Sequence, residues 1–211
     1  MGTPVRRVWV GIDPGLSGAV GAVYGNRVAD AWSTPTISVK KAKGKGAKRH
    51  PDPSGMADLL RPFLKLRREG WDVLVTLEES SPNPVDGKIG HHKVGIGFGT
   101  WLGILAALRL PYQTVRPSVW RPQMVGAKTD KNMSRKVCME LFPRLKLPLV
   151  KDSDKAEAVM IAEWGRRRDL GLEAAGQKKK AIEEVEVNRP ARVLARRPDP
   201  PPITIEDDKA G

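Results

Sequence analysis

The chain reads as an α/β protein, a mixed five-stranded sheet flanked by helices, and three observations predict it. Short apolar runs at the period of a strand occur five times, segments with helical spacing lie between and after them, and two of the strands end on acids. The predicted order is three strands, helix, strand, helix, strand, helices.

The first strand is "RVWVGI", Arg7 to Ile12, and Asp13 stands where it stops. A carboxylate there is held by the sheet yet open to solvent, which suits a metal ligand, and Pro14 and Gly15 turn the chain without adding bulk. An aspartate opening a turn is the plainer reading of this stretch alone. "AVGAVYG" and "RVADAWS" follow as two strands around the turn pair Gly25 and Asn26, so an antiparallel meander is expected. "SVKKAKGKGAKRH", Ser38 to His50, carries six Lys or Arg and two glycines and is expected to be a mobile basic loop. Ser54 is placed to cap a helix to about Glu69, with Met56, Leu59, Leu60, Phe63 and Leu66 on one side and Pro62 bending it. "WDVLVTLEES" is a buried strand ending at Glu78 and Glu79, and "SPNPVDGKIGHHKVG" a long polar loop.

Phe98 to Arg109 is predicted helical, with Gly99 and Gly103 one turn apart for close packing, inside the monomer or across a dimer. "PYQTVRP" is a short strand. Residues 131–142 form an amphipathic helix with Met133, Val137, Cys138, Leu141 and Phe142 inward and Lys131, Arg135 and Lys136 outward. The last helix runs from about Asp154 to Arg168, capped by Asp152 or Ser153. Residues 1–168 are expected to be one folded domain. Residues 169–211 are expected to be a largely disordered tail with mixed charge and five prolines, with room for one helix near Ala181 to Val187. The tryptophans, Trp101, Trp120 and Trp164 among them, are expected in the core.

The single cysteine, Cys138, excludes a disulfide framework and a CxxC zinc site, and no apolar run reaches the roughly 20 residues of a membrane span. With no secretory signal in view either, a cytoplasmic protein is expected. Net charge is +13, and residues 1–168 hold 29 Lys and Arg against 15 Asp and Glu, so the basic excess belongs to the folded part. That is the footprint of a polyanion binder, or of a protein kept soluble by charge.

Asp154 and Glu157 are three apart on a helix and share a face. Taken alone, they also fit a solvated first turn favoured by the helix dipole. Together with Asp13 and Glu78 they form a set of hard oxygen donors suited to Mg²⁺ or Mn²⁺ rather than Zn²⁺. Two such ions can clamp a phosphodiester, and a basic body around the acids would draw in a nucleic-acid backbone.

"GIDPGLSGAVG", "VLVTLEES", "VRPSVWR", "DKNMSRKVCMELFP" and "DSDKAEAVMIAEW", in this order and spacing, resemble the RuvC family of Holliday junction resolvases, especially its bacteriophage members. The resemblance spans residues 7 to about 168. It implies an RNase H-like fold and a homodimer that nicks four-way DNA junctions symmetrically with divalent metal, in a bacterial cell or phage-infected host. It also implies that Asp13, Glu78, Asp154 and Glu157 are the metal-binding acids, with Glu79 and Asp152 as fallbacks for Glu78 and Asp154. By the same resemblance Lys131 lies near the scissile phosphate, and Arg121 stands about where another basic residue is expected. The wider DNA-binding set expected is Lys40, Lys41, Lys43, Lys45, Lys48, Arg49, Lys88, Lys93, Arg121, Lys128, Lys131 and Arg135.

Two departures stand out. Family members commonly carry an aromatic after the second acid, and "EESSPNP" has none; junction opening would then fall to another residue or to the loop from Ser80 to Val94 with Lys88, His91, His92 and Lys93, whose plainer reading is a solvated loop. Glu157 stands in place of an aspartate, which lengthens the last ligand. Sugar kinases and actin-like ATPases share a strand, "GID" and glycines, but need two domains and a second phosphate loop. A broader branch- or flap-cutting nuclease and a non-catalytic basic DNA-binding protein on the same fold are the remaining rivals.

Overall fold

Alternation along the first strand decides which residues meet which layer of helices. In the computed structural model, which describes residues 6–25, 28–40, 46–80, 88–126 and 131–172 and no side chains at 88–94 or 131, β1 spans Arg7–Asp13. Val8, Val10 and Ile12 pack into one apolar cluster, while Trp9, Gly11 and Asp13 belong to the opposite face. β1 pairs antiparallel with β2 (Ala19–Tyr24), which pairs antiparallel with β3 (Ala29–Ser33). On its other side β1 runs parallel to β6 (Asp72–Glu78), and β6 parallel to β7 (Tyr112–Val115). The order β3-β2-β1-β6-β7, with only β2 reversed, is the RNase H-like α/β arrangement.

Helices cover both faces. α1 (Pro53–Arg68) and α2 (Lys88–Ala107) bury Met56, Leu60, Phe63, Trp101 and Leu105 against Val8, Val10, Ile12, Val73, Val75 and Leu77. α3 (Pro117–Met124), α4 (Lys131–Leu141) and α5 (Ser153–Asp169) form the other layer, with Trp120, Cys138, Phe142, Val159, Met160 and Trp164 in its core. α5 is buried on all sides from Ala156 to Gly165, as befits a helix sandwiched between a sheet and two further helices. It lies unusually close to the sheet because Gly11 and Gly21, partners across β1 and β2, present no side chain to it. A Cβ on Gly11 would overlap the Ala158 carbonyl and the Ala162 amide, and one on Gly21 the Val159 amide. The far end of α5 is pinned where Asp169 accepts from Trp9 Nε1 (3.1 Å) and Arg7 (3.2 Å). Glu163, wholly buried, is held by Arg166 (2.6 and 2.9 Å) and Arg167 (2.9 Å).

Several expectations need correcting. The basic stretch is not an irregular loop: Thr36–Lys40 (β4) and Ala47–Pro51 (β5) pair as an exposed two-stranded ribbon. Thr36, Ile37 and Val39 supply β-branched residues, and lysines on a ribbon keep their charge in water. The helix placed at Phe98 begins at Lys88, inside the stretch taken for a polar loop. Gly97 of α2 sits against the Pro14 carbonyl, where a Cβ would overlap, so tertiary contact overrides the poor helix propensity of glycine. Gly99 and Gly103 meet nothing within 4 Å, so among the described residues no close packing is seen at them. α1 is capped by Asp52 rather than Ser54, its carboxylate accepting from Gly55 N at 3.1 Å with Pro53 at the first helical position. On α4 the buried face takes Ser134 in place of Met133, which is 40% exposed. Residues 173–211, the bulk of the expected tail with its candidate helix, lie outside the described residues.

Candidate active site

Parity and register bring the first two acids together. Asp13 follows Gly11 on the face of β1 that meets α5, and Glu78 follows Thr76, which touches Gly165 of α5, on the same face of β6. Ile12 lies opposite Leu77 in the parallel pair, so Asp13 and Glu78 come next on adjacent strands. α5 begins at this end of the sheet, and its first two turns carry Asp154 and Glu157. Asp13, Asp154 and Glu157 each present a carboxylate oxygen within 4.8 Å of the others. Asp13 is oriented from behind, its Oδ1 accepting from Gly15 N at 3.1 Å.

Glu78 and Glu157 are the buried members. Trp120 Nε1 donates to Glu78 Oε1 at 2.9 Å, and Arg121 Nη2 to Glu157 Oε2 at 2.7 Å, while Ser134 Oγ makes a long 3.5 Å contact with Glu157 Oε1. Burial foremost, then the neighbouring Asp13 carboxylate, pushes the Glu78 carboxyl up from 4.5 to about 7. Glu157 adds to the rise, and the Trp120 hydrogen bond and Arg121 charge oppose it. Two like charges within 4.8 Å repel by about 3 kcal/mol at an effective dielectric constant near 20. Several such pairs, if ionised together, would rival the stability of a whole domain, so positive charge beside the cluster stabilises it. Arg121 supplies part of it. A donor set of carboxylate oxygens fits a hard divalent cation.

The two fallback acids sit elsewhere. Glu79 accepts from Thr114 Oγ1 (2.8 Å) and Arg116 Nε (3.1 Å). Asp152, in a 3-10 turn at Val150–Asp152, accepts from Leu149 N (3.0 Å) and Lys155 Nζ (3.3 Å). Of the basic residues singled out, Arg121 is drawn into the acid cluster. Arg135 donates to the Leu147 and Pro148 carbonyls at 3.0 and 3.3 Å, tying down the connection to α5. Lys40, Lys48 and Arg49 lie on the exposed ribbon, and Arg49 reaches the Leu16 carbonyl (3.2 Å) in the turn beyond Asp13. Lys41, Lys43, Lys45 and Lys128 lie outside the described residues, as do the side chains of Lys88, His91, His92, Lys93 and Lys131. Sequence reasoning assigned Trp120 to the core and Ser134 to no role. The sequence signal for this helix is Pro117 after an extended residue, which opens α3 and places Trp120 and Arg121 on it.

Fold and site together define the class: an RNase H-like domain with an acidic cluster at one end of its sheet. Among solved structures, the chain is similar to Thermus thermophilus RuvC, with 17% identity, 78% of this chain and 96% of that one covered, and a TM-score of 0.45. A second structure, T. thermophilus RuvC in complex with Holliday junction substrate, gives 16% identity, the same coverage and a TM-score of 0.48. No protein-family model and no curated protein matches the chain.

Proposed function

We propose that the chain is a divalent-metal-dependent DNA endonuclease that resolves four-way junctions as a homodimer by paired symmetric nicks. The observation that carries the nuclease reading is the gathering of Asp13, Asp154 and Glu157 within 4.8 Å, beside Glu78, in a body whose first 168 residues hold 29 basic and 15 acidic side chains. The preference for four-way junctions rests on the ordered resemblance of five sequence segments to RuvC resolvases. Asp13, Glu78, Asp154 and Glu157 would hold Mg²⁺, with Mn²⁺ able to substitute. Such ions supply an activated water and stabilise the leaving oxygen of a phosphodiester. Lys131 would meet the scissile phosphate, and the ribbon residues Lys40, Lys48 and Arg49 would hold a DNA arm by its backbone, which positions DNA without reading bases.

The test compares a mobile four-way junction, a flap and a linear duplex, each with Mg²⁺. Paired nicks confined to the junction are expected. Asp13→Asn should abolish nicking while junction binding survives, because removing an anion lessens repulsion of phosphate. Equal cutting of all three substrates would leave a nuclease without junction selectivity. Undiminished nicking by the variant would remove Asp13 from the site.

A further inference from the structure

α3 is short, partly exposed and absent from the sequence-derived order of elements, yet two consecutive residues on it reach two different carboxylates of the cluster. Trp120 is fully buried, so its ring is fixed by packing, and its one polar atom, Nε1–H, is spent on Glu78 Oε1 at 2.9 Å. An indole N–H can only donate, so this bond fits a carboxylate acceptor and fixes the direction of one of its oxygens. Arg121 is next in sequence. Its Nη2 donates to Glu157 Oε2 at 2.7 Å, and its guanidinium lies 5.3 Å from the Trp120 ring centroid. The ring therefore touches one acid by its edge and supports the cation that holds the other by its face. Glu78 comes from β6 and Glu157 from α5, so α3 bridges the two elements that supply the buried acids.

We infer that Trp120 and Arg121 are positioning residues, which hold Glu78 and Glu157 in the arrangement that receives a divalent cation. The inference rests on the metal-dependent reading above. Neither residue needs to touch DNA or metal for this role. Holding the acids against their mutual repulsion is a separate task from holding phosphate. Charge in the Arg121 guanidinium also offsets part of that repulsion before any cation arrives.

The test is Mn²⁺ binding to the full chain without DNA, followed by calorimetric titration, with the thermal midpoint of the metal-free protein recorded for each variant. Trp120→Phe keeps most of the apolar ring and removes the donor. Arg121→Lys keeps the charge and removes the planar guanidinium that stacks on Trp120. Removing groups that orient metal ligands typically weakens affinity 10- to 100-fold. Trp120→Phe and Arg121→Lys are each expected to bind Mn²⁺ at least about tenfold more weakly. A role in packing alone would lower the thermal midpoint and leave affinity unchanged. A folded Trp120→Phe or Arg121→Lys variant whose titration superimposes on the parent overturns the role of that residue, and the two variants carry the test independently if either fails to fold. Absence of Mn²⁺ binding by the parent chain is a different result: it overturns the metal-dependent reading, and this inference with it.

Discussion

Glu78 is the residue whose chemistry departs furthest from its sequence-level description as the acid at the end of a buried strand. Its carboxyl is raised from 4.5 to about 7 by burial and by Asp13. In the unfolded chain it ionises near 4.5; in the metal-free fold it holds its proton until about 7. Below 4.5 both states are protonated and folding carries no penalty from this group. Between the two values stability falls, and above 7 the full cost of about 3 kcal/mol is felt. A bound cation would remove that cost. The expected outcome is that Mg²⁺ raises the thermal midpoint more at pH 8 than at pH 6, measured by differential scanning fluorimetry. Glu78→Gln, which cannot ionise, should narrow that difference. Equal metal-induced shifts at both pH values in the parent chain would contradict the account.

At the scale of elements, the contact of α5 with β1 and β2 is what delivers Asp154 and Glu157 to Asp13. Gly11→Ala would drive a methyl group into the backbone of α5, and overpacking of this kind costs about 1–3 kcal/mol, more where backbone must move. A lower denaturant midpoint is expected, with a larger loss of nicking than stability alone explains, since the displaced helix carries half the acids. The ribbon gives a second expectation. Lys40 and Lys48 are exposed on β4 and β5, and each phosphate contact adds about 0.9 to the slope of log affinity against log salt. Replacing both by serine should flatten that slope by about 2 at most, while single-turnover nicking at saturating protein stays near the parent rate. An unaltered slope would mean that this surface faces away from DNA.

The same scale shows what was legible in the sequence. Strand runs such as "RVWVGI" and "WDVLVTLE" announce themselves because alternation and β-branching are local, and the acids at their ends were singled out for that reason. Asp154 with Glu157 was readable from helical spacing. α3 was not, being eight residues long with two prolines, and neither was the extension of α2 back to Lys88 through a glycine-rich stretch. Both depend on what the rest of the chain packs against them. The partners of Glu78 and Glu157 were hidden for the same reason: Trp120 is 42 positions from Glu78, and no spacing rule relates them.

For the whole molecule, charge and chain length separate two bodies of sequence. The excess of positive charge lies within residues 1–168, and the remainder is close to balanced. Deleting residues 176–211 is therefore expected to leave nicking and its salt dependence nearly unchanged, as measured on the four-way junction. A shortened chain that folds but fails to bind the junction would assign the tail a part in recognition.

The seat formed by Gly11 and Gly21 is made early in the chain, and the helix that fills it comes roughly 140 residues later. During synthesis that strip of backbone on the first strands is made well before α5, the helix that covers it. Until then Asp13 has neither Asp154 nor Glu157 beside it. A nascent chain thus carries the positive charge of the β4–β5 ribbon before it carries a complete set of acids, and the proposed capacity to cut would wait for the seating of α5.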